Sequence, residues 1–121
     1  MTVVGDIMSP GSVSLPPSAT VEEAVKLMAE NNIGSVLVVE GGRLVGIITE
    51  RDVIRLLAAG RPLTEKLGDV MTRDPVTVKP DTPLIVALAR MVEYNIRHLP
   101  VVDEKGRPVG VLSVRDVIRN L

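Results

Sequence analysis

The chain has 121 residues, 45% of them apolar, and its 14 basic and 15 acidic residues leave a formal net charge of −1 at pH 7. This balance argues against a broad electrostatic footprint for nucleic acid, and a single tyrosine cannot form an aromatic platform for bases. Cysteine is absent and His98 is the only histidine, which excludes disulfides, thiolate metal sites and a histidine-rich metal cluster within one chain.

The sequence shows no pattern typical of a signal peptide or a membrane span, and we expect neither. Residues 1–6 contain no basic region followed by a hydrophobic stretch, and the longest apolar runs are only a few residues. A spanning helix needs about 20 consecutive apolar residues. We therefore expect a cytoplasmic protein without a membrane partner.

The first half of the chain predicts a strand, a helix, a two-stranded hairpin and a second helix. Thr20 followed by Glu23 is typical of a capping box, and Thr49 can cap the last helix. The predicted elements are a strand at 12–15, a helix from 21, strands at 35–39 and 44–48, and a helix at 50–59.

The second half predicts the same order of elements. Thr82 is expected to cap a helix with Pro83 at its first position, and Ser113 to cap the last helix. The predicted elements are strands at 76–78, 99–102 and 109–112, a helix from 83, and a helix from 114 to the C-terminus. The pattern β-α-β-β-α thus occurs twice, in domains at 1–60 and 67–121 joined by a linker at 61–66.

The two halves are duplicates of each other. Residues 5–8 (GDIM) align with residues 68–71 (GDVM) at an offset of 63, and residues 51–55 align with 115–119, both RDVIR, at an offset of 64. Because one unit of about 60 residues is marginal in size, the copies are expected to bury their apolar faces against each other. The fold class is α/β, and function is expected where the copies meet.

One motif, Gly-x-x-[Ser/Thr]-x-x-Asp, occurs once in each copy. It places Thr49 before Asp52 and Ser113 before Asp116, each at the start of a helix. A capping box explains this spacing without a ligand. The alternative is a nucleotide site, in which the helix start and the hydroxyl contact phosphate and the aspartate accepts from ribose hydroxyls. The glycine that opens the motif either lets a ligand approach the strand or marks a β-bulge.

Three further segments are distinctive, namely DIMS at 6–9, DVMT at 69–72 and RHLPVV at 97–102. Together with the repeat and the two motifs, they resemble a tandem pair of CBS domains, also called a Bateman module. The resemblance covers nearly the whole chain and implies a stand-alone CBS-domain protein. It implies that two β-α-β-β-α copies pack sheet against sheet with pseudo-twofold symmetry, leaving two clefts that commonly bind adenosine nucleotides.

The same resemblance assigns roles to matched positions in the two copies. The nucleotide-binding residues that it implies are Val13 and Val76 beside adenine, Thr49 and Ser113 beside phosphate, and Asp52 and Asp116 on ribose hydroxyls. The implied ligand is AMP, ADP or ATP, and we expect no cofactor and no metal site. Each aspartate marks one candidate cleft.

A pair of cations distinguishes the second copy from the first. Arg97 and His98 match positions that contact phosphate in some nucleotide-binding members of the family, or they form a solvated strand entrance. The first copy has Gly34 and Ser35 at these places. Because a guanidinium offers phosphate a fixed fork of donors, we expect phosphate binding to be asymmetric.

The leading functional hypothesis is a regulatory module that senses energy state or a ligand by binding an adenosine nucleotide, and acts through an effector protein. No catalytic residue is predicted, because the sequence has no nucleophile-base arrangement and no phosphate loop with lysine. We therefore expect that the protein is not an enzyme. The alternative is a ligand-free module for dimerisation or tethering, whereas the charge balance disfavours a nucleic-acid-binding regulator. A homodimer is expected through apolar residues of the two terminal helices, namely Val53, Ile54, Leu56, Leu57, Val117, Ile118 and Leu121.

Overall fold

The computed structural model describes residues 1–11 and 13–121, so Ser12, the first residue of the first predicted strand, lies outside the described residues. The fold is α/β, with two β-sheets and flanking helices. The helices are α1 (Val4–Ile7), α2 (Val21–Asn31), α3 (Glu50–Ala58), α4 (Leu67–Val70), α5 (Leu84–Tyr94) and α6 (Val114–Arg119). The strands are β1 (Ser9–Pro10), β2 (Ser14–Leu15), β3 (Ser35–Glu40), β4 (Arg43–Thr49), β5 (Thr72–Arg73), β6 (His98–Val102) and β7 (Pro108–Ser113).

The chain forms two compact units, and neither coincides with a sequence repeat. The first-copy unit is Val13–Pro75, and the second-copy unit combines Met1–Ser12 with Val76–Leu121. Each unit therefore takes its hairpin and long helices from one repeat and a short opening segment from the other. The division into domains at 1–60 and 67–121 with a linker at 61–66 follows the sequence repeats and stays a prediction.

Equivalent backbone hydrogen bonds hold the opening segments in place. In the first-copy unit, the Leu67 N–H donates to the Ala19 carbonyl at 2.8 Å. In the second-copy unit, the Val4 N–H donates to the Thr82 carbonyl, also at 2.8 Å. Both Leu67 and Val4 are fully buried, so the opening segments belong to the cores of their units.

The first-copy unit has a four-stranded sheet in the order β2-β3-β4-β5. Strands β3 and β4 form the predicted hairpin, whose turn contains Gly41 and Gly42 at φ values of 59° and 78° that suit glycine. The predicted capping box of α2 is confirmed, because the Glu23 N–H donates to Thr20 Oγ1 at 3.2 Å and the Thr20 N–H donates to Glu23 Oε2 at 2.9 Å. The core comprises Ala19, Val21, Ala24, Met28, Val36, Val38, Ile48 and Leu67.

The second-copy unit has a three-stranded sheet in the order β1-β7-β6. The β6–β7 hairpin is again the predicted one, and β1 adds an antiparallel edge through the pairs Ser9↔Val111 and Pro10↔Gly110. The core comprises Val4, Val78, Ala87, Met91, Leu99, Val101, Leu112 and Val117. None of the helices formed by the described residues is both long enough and apolar enough to cross a membrane.

The strand predicted at 76–78 is reduced to a single bridge, Val78↔Val101. In the first-copy unit the equivalent ladder begins where the Leu37 N–H donates to the Val13 carbonyl at 3.1 Å. The residue matching Leu37 is Pro100, which has no N–H to donate. The prediction of a full strand was wrong for this reason. Two backbone hydrogen bonds remain, because the Val78 N–H donates to the Pro100 carbonyl and the Val102 N–H donates to the Val78 carbonyl.

The predicted cap of α5 was also wrong. Pro83 is the N-cap residue, with an extended ψ of 136°, and no side chain caps this helix. The Thr82 hydroxyl instead accepts from the Lys79 N–H at 3.1 Å, so it closes the turn before the helix. The Leu84 N–H donates to the Thr2 carbonyl at 2.9 Å, as the Val21 N–H at the start of α2 donates to the Glu65 carbonyl at 3.0 Å.

Candidate functional site

In the first-copy unit, the motif residues lie where β4 passes into α3. The Asp52 N–H donates to Thr49 Oγ1 at 3.2 Å, and the Thr49 N–H donates to Asp52 Oδ2 at 2.9 Å, which is a reciprocal capping box. The Thr49 hydroxyl also lies 2.9 Å from Asp52 Oδ2 and donates to it. Asp52 is only partly buried, so its carboxylate is positioned by the helix start and remains accessible to solvent.

In the second-copy unit, the same motif lies where β7 passes into α6. The Asp116 N–H donates to Ser113 Oγ at 3.1 Å, and the Ser113 N–H donates to Asp116 Oδ2 at 2.8 Å. The other carboxylate oxygen, Oδ1, accepts from the Ser9 hydroxyl at 3.0 Å. Asp116 is 8% exposed, so its carboxylate is both buried and bonded to donors of its own unit.

Most backbone donors at these helix starts are used within the fold. The N–H of the first residue of α3, Glu50, donates to the Gly34 carbonyl at 3.0 Å. The N–H of the first residue of α6, Val114, donates to the Arg97 carbonyl at 3.1 Å. Anion binding at a helix start is favoured by a row of unpaired backbone N–H groups. Because most of these groups are already bonded here, a phosphate at either helix start would mainly contact side chains.

The two valines expected beside adenine lie in separate units with their own motifs. Val13 belongs to the first-copy unit with Thr49 and Asp52, and Val76 belongs to the second-copy unit with Ser113 and Asp116. Each valine comes shortly before a segment that pairs with the first strand of the hairpin, and each packs against the core of its own unit.

The cations of the second copy lie beside the second motif. His98 is directly opposite Ser113 in the β6–β7 ladder, and the Arg97 backbone is bonded to the residue that follows Ser113. The Arg97 side chain is exposed. In the first-copy unit the pair Ser35↔Thr49 occupies the equivalent register, and Ser35 is buried at 6% exposure. The structure thus places the backbone of Arg97 and His98 beside the second motif, and that of Gly34 and Ser35 beside the first.

The motif glycines have a structural explanation in both units. A Cβ atom on Gly110 would lie 2.6 Å from the Ser9 carbonyl oxygen, and one on Gly46 would collide with the Met71 sulfur and lie 3.0 Å from the Thr72 carbonyl oxygen. The hairpin register also shifts next to each glycine, as in a β-bulge. These glycines therefore make room for the edge strands β1 and β5 of the protein itself.

One functional candidate, Ser9, was missed by the sequence analysis. Its hydroxyl reaches Asp116 only because β1 pairs with β7, across a sequence separation of 107 residues. A signal for it exists in the repeat, because the DIMS and DVMT openings place a hydroxyl residue, Ser9 or Thr72, at the same position of each copy. The described residues include no group of three or more His, Asp or Glu side chains that could hold a metal ion.

The comparisons with known proteins define the family. A family model described as CBS domain matches residues 4–59 and again residues 67–121. The chain therefore belongs to the CBS-domain family and contains a tandem pair of these domains. It is 37% identical over 121 residues to an uncharacterized 17.7 kDa protein from the bps2 3′ region of Acidianus ambivalens, covering 99% of this chain and 73% of that protein.

Solved structures of CBS domain pairs have the same fold. The CBS domain pair of protein MJ0100, in complex with 5′-methylthioadenosine and S-adenosyl-L-methionine, is 33% identical, with a TM-score of 0.91 over 98% of this chain and 94% of that one. The CBS domain protein PAE2072 from Pyrobaculum aerophilum, complexed with AMP, is also 33% identical, with a TM-score of 0.89 over 95% and 89%.

Several curated relatives are much longer than this chain. The chain spans 52% of one of them and 21% to 24% of those that carry enzyme names. Most of each such enzyme is therefore sequence that this chain does not match.

Proposed function

We propose that this CBS-domain pair is a regulatory module that binds an adenosine nucleotide and acts through a partner protein, without catalysing a reaction. The ligand class is AMP, ADP or ATP. The proposal takes its ligand from two similar structures of the same family, which hold AMP in one case and two other adenosyl compounds in the other.

The observation that carries the proposal is the repeated placement of a hydroxyl and a carboxylate at the end of each sheet. Asp52 is held by Thr49, and Asp116 by Ser113, in the same reciprocal geometry. A carboxylate fixed in this way is pre-organised to accept from the two hydroxyls of a ribose, because its orientation is set before the ligand arrives. Asp52, being partly exposed, is the more accessible of the two.

Calorimetry of the full chain with AMP, ADP and ATP tests the proposal. Replacing Asp52 with Ala is expected to weaken binding at the first-copy unit by about 1.5–3 kcal/mol, the range for hydrogen bonds to a charged group. Asp52→Asn is the gentler variant, since its amide oxygen can still accept from the Thr49 N–H and preserve the cap. Glu30→Ala, which removes an exposed carboxylate from α2 of the same unit, is the matched control.

Three outcomes would contradict the proposal. The first is that none of the three nucleotides binds to the folded protein. The second is that both Asp52 variants, shown to be folded by circular dichroism, bind as tightly as the unmodified chain. The third is that Glu30→Ala weakens binding as much as Asp52→Ala does, which would indicate a general charge effect.

We also infer that the module assembles as a homodimer, and this has a specific observation in its favour. On the terminal helices α3 and α6, Ile54 is 65% exposed, Leu57 is 54% exposed and Ile118 is 62% exposed. Side chains of this type gain about 25 cal/mol for each Å² of apolar surface removed from water. A chain that serves only for dimerisation would show the same association and no nucleotide binding.

A further inference from the structure

We propose that two copies of this chain associate through their second-copy units, with the outer face of α5 of one copy packed on the same face of the other. This inference rests on the proposed homodimer. It goes beyond that homodimer because it names a face outside the terminal helices and assigns the contact to one of the two repeats.

An exposed apolar stripe runs along α5. Ile85, Ala89 and Val92 are spaced four and three residues apart, which places them on one face of the helix. Ile85 is 72% exposed, Val92 is 83% exposed, and Ala89 is exposed as well. The helix reaches the core of its unit with other residues, Ala87 and Met91, which are buried. The stripe is therefore apolar surface that its own unit does not cover.

The matching face of α2 in the first-copy unit is charged. At the repeat offset of 63, the residues in the three stripe positions are Glu22, Lys26 and Ala29. Lys26 Nζ lies 3.5 Å from Glu22 Oε1, and both side chains are more than half exposed. Both helices have 11 residues and end at an asparagine in the left-handed conformation, so the two copies differ here in surface and not in fold.

The other exposed apolar side chains follow the same division. Within the part of the chain that the structure describes, the large exposed apolar residues of the first-copy unit are Ile54 and Leu57. Those on the two long helices of the second-copy unit and at the chain end are Ile85, Val86, Val92, Tyr94, Val114, Ile118 and Leu121. Exposed apolar surface is thus concentrated on α5 and α6, which also share one core cluster.

A second copy of the chain is the partner that this surface fits. A stable interface uses about 20–30 residues on each side, and α5 and α6, with 11 and 6 residues, together approach this number. Ile118 of α6 already lies on the face of the proposed homodimer. In a twofold dimer the same patch lies on both sides, so the apolar stripe packs on an apolar stripe. The charged residues of α5, Arg90 and Glu93, are of opposite sign, so α5 carries no net charge that repels its copy.

A contact between unlike units would be mismatched. The second-copy unit of one chain would then place its stripe against the ion pair of Glu22 and Lys26 in the other chain. Both charges would lose contact with water, and the cost of that desolvation can exceed the attraction between them. The contact between two second-copy units avoids this cost.

Crosslinking through introduced cysteines tests the contact, because the chain has no cysteine of its own. Ala89→Cys places a thiol in the middle of the stripe, and Lys26→Cys places one at the matched, equally exposed position of α2. With a short bifunctional maleimide, Ala89→Cys is expected to give a covalent dimer, since a residue in the middle of a twofold interface lies near its own copy. Lys26→Cys should remain a monomer on a denaturing gel.

Exchanging the surface of α5 for that of α2 measures what the stripe contributes. Ile85→Glu combined with Ala89→Lys copies the charged face, with its four-residue spacing, onto α5. We expect the dimer dissociation constant, measured by sedimentation equilibrium, to rise at least about 10-fold, because burial of one isoleucine side chain corresponds to a factor of this size. Glu22→Ile combined with Lys26→Ala is the matched control and should not weaken the dimer. Circular dichroism and urea unfolding establish that both double variants are folded.

The inference is overturned if Lys26→Cys crosslinks as readily as Ala89→Cys, or if crosslinking requires both cysteines in one chain, which would indicate a contact between unlike units. It is also overturned if the folded variant with Ile85→Glu and Ala89→Lys dimerises as tightly as the unmodified chain, and the homodimer would then stand without α5. A chain that is monomeric at every concentration removes both the homodimer and this inference. Calorimetry with AMP measures nucleotide binding independently of all these results.

Discussion

The Ser9 hydroxyl donates a 3.0 Å hydrogen bond to Oδ1 of Asp116, linking the opening segment of the chain to its last helix. Both residues belong to the second-copy unit. We expect Ser9→Ala to lower the free energy of unfolding by about 1–3 kcal/mol, because a buried carboxylate oxygen loses a donor. Urea denaturation measures this change. The same variant should bind AMP more tightly, since Asp116 would have a free oxygen for a ribose hydroxyl.

Thr72 provides the matched control for Ser9, since it is exposed and occupies the equivalent position in the first-copy unit. Thr72→Ala is expected to change the free energy of unfolding by less than about 0.5 kcal/mol, as is usual for exposed positions. Equal losses in the two variants would show that the Ser9–Asp116 bond contributes nothing specific.

The motif glycines should respond unequally to alanine. At Gly110 the added Cβ would meet a backbone oxygen at 2.6 Å, and at Gly46 its nearest neighbour is the end of the flexible Met71 side chain. We expect Gly110→Ala to destabilise the protein by about 1–3 kcal/mol and Gly46→Ala to cost less, because a thioether moves aside more easily than a strand. Thermal or urea unfolding gives both values, and the reverse order would contradict the explanation.

Asp103, in the turn of the second hairpin, is expected to make a pH-dependent contribution to the free energy of unfolding. Hydrogen bonds lower the pKa of this carboxyl below its ordinary value, first the one from the Arg107 N–H and then that from the Lys105 N–H, while the Arg107 side chain adds to the effect. A lowered pKa means that the folded state gains stability when the group is ionised, above its unfolded pKa of about 3.9. This stability is lost as the pH falls through the lowered pKa.

Comparing the free energy of unfolding of Asp103→Asn with that of the unmodified chain as the pH is lowered tests the direction of this pH dependence. The variant should be less stable from neutral pH down to about pH 4, and the difference should shrink as the pH falls further. Glu40→Gln, at the matching position of the first hairpin, is the control. A difference that grows on acidification would contradict the assignment.

The proposed homodimer can be tested on α6, where neighbouring residues differ in burial. Ile118 is 62% exposed, whereas Val117 is 9% exposed and belongs to the core. Ile118→Asp should keep the fold and shift light scattering from dimer toward monomer, and Val117→Asp should unfold the chain because it buries an unpaired charge. A mass unchanged by Ile118→Asp would exclude this face from the interface.

Local signals in the sequence were sufficient for much of the fold. Thr20, Thr49 and Ser113 all cap helices as predicted, because a cap depends on residues only three positions apart. Thr82 does not, since it lies one residue before the N-cap position, which Pro83 occupies. The short strands β1 and β5 were not predicted either, because two residues carry no periodicity and their pairing partners are remote in sequence.

For the candidate site, the repeat located both motifs, and the roles of their residues in nucleotide binding remain predictions. What the sequence could not reveal was the difference in burial between Asp52 and Asp116. Nor could it reveal the hydrogen bond from Ser9, which the fold brings to Asp116 from the far end of the chain.

The exchange of opening segments resembles a domain swap carried out within one chain. Simple gene duplication would have left each repeat with its own edge strand, yet β1 completes the sheet of the second repeat and β5 that of the first. Separated at the repeat boundary, each half would expose the unpaired edge of β4 or β7, which is a template for aggregation. Each repeat therefore depends on the other for an edge strand, and the loss of either repeat in evolution would leave the remaining sheet incomplete.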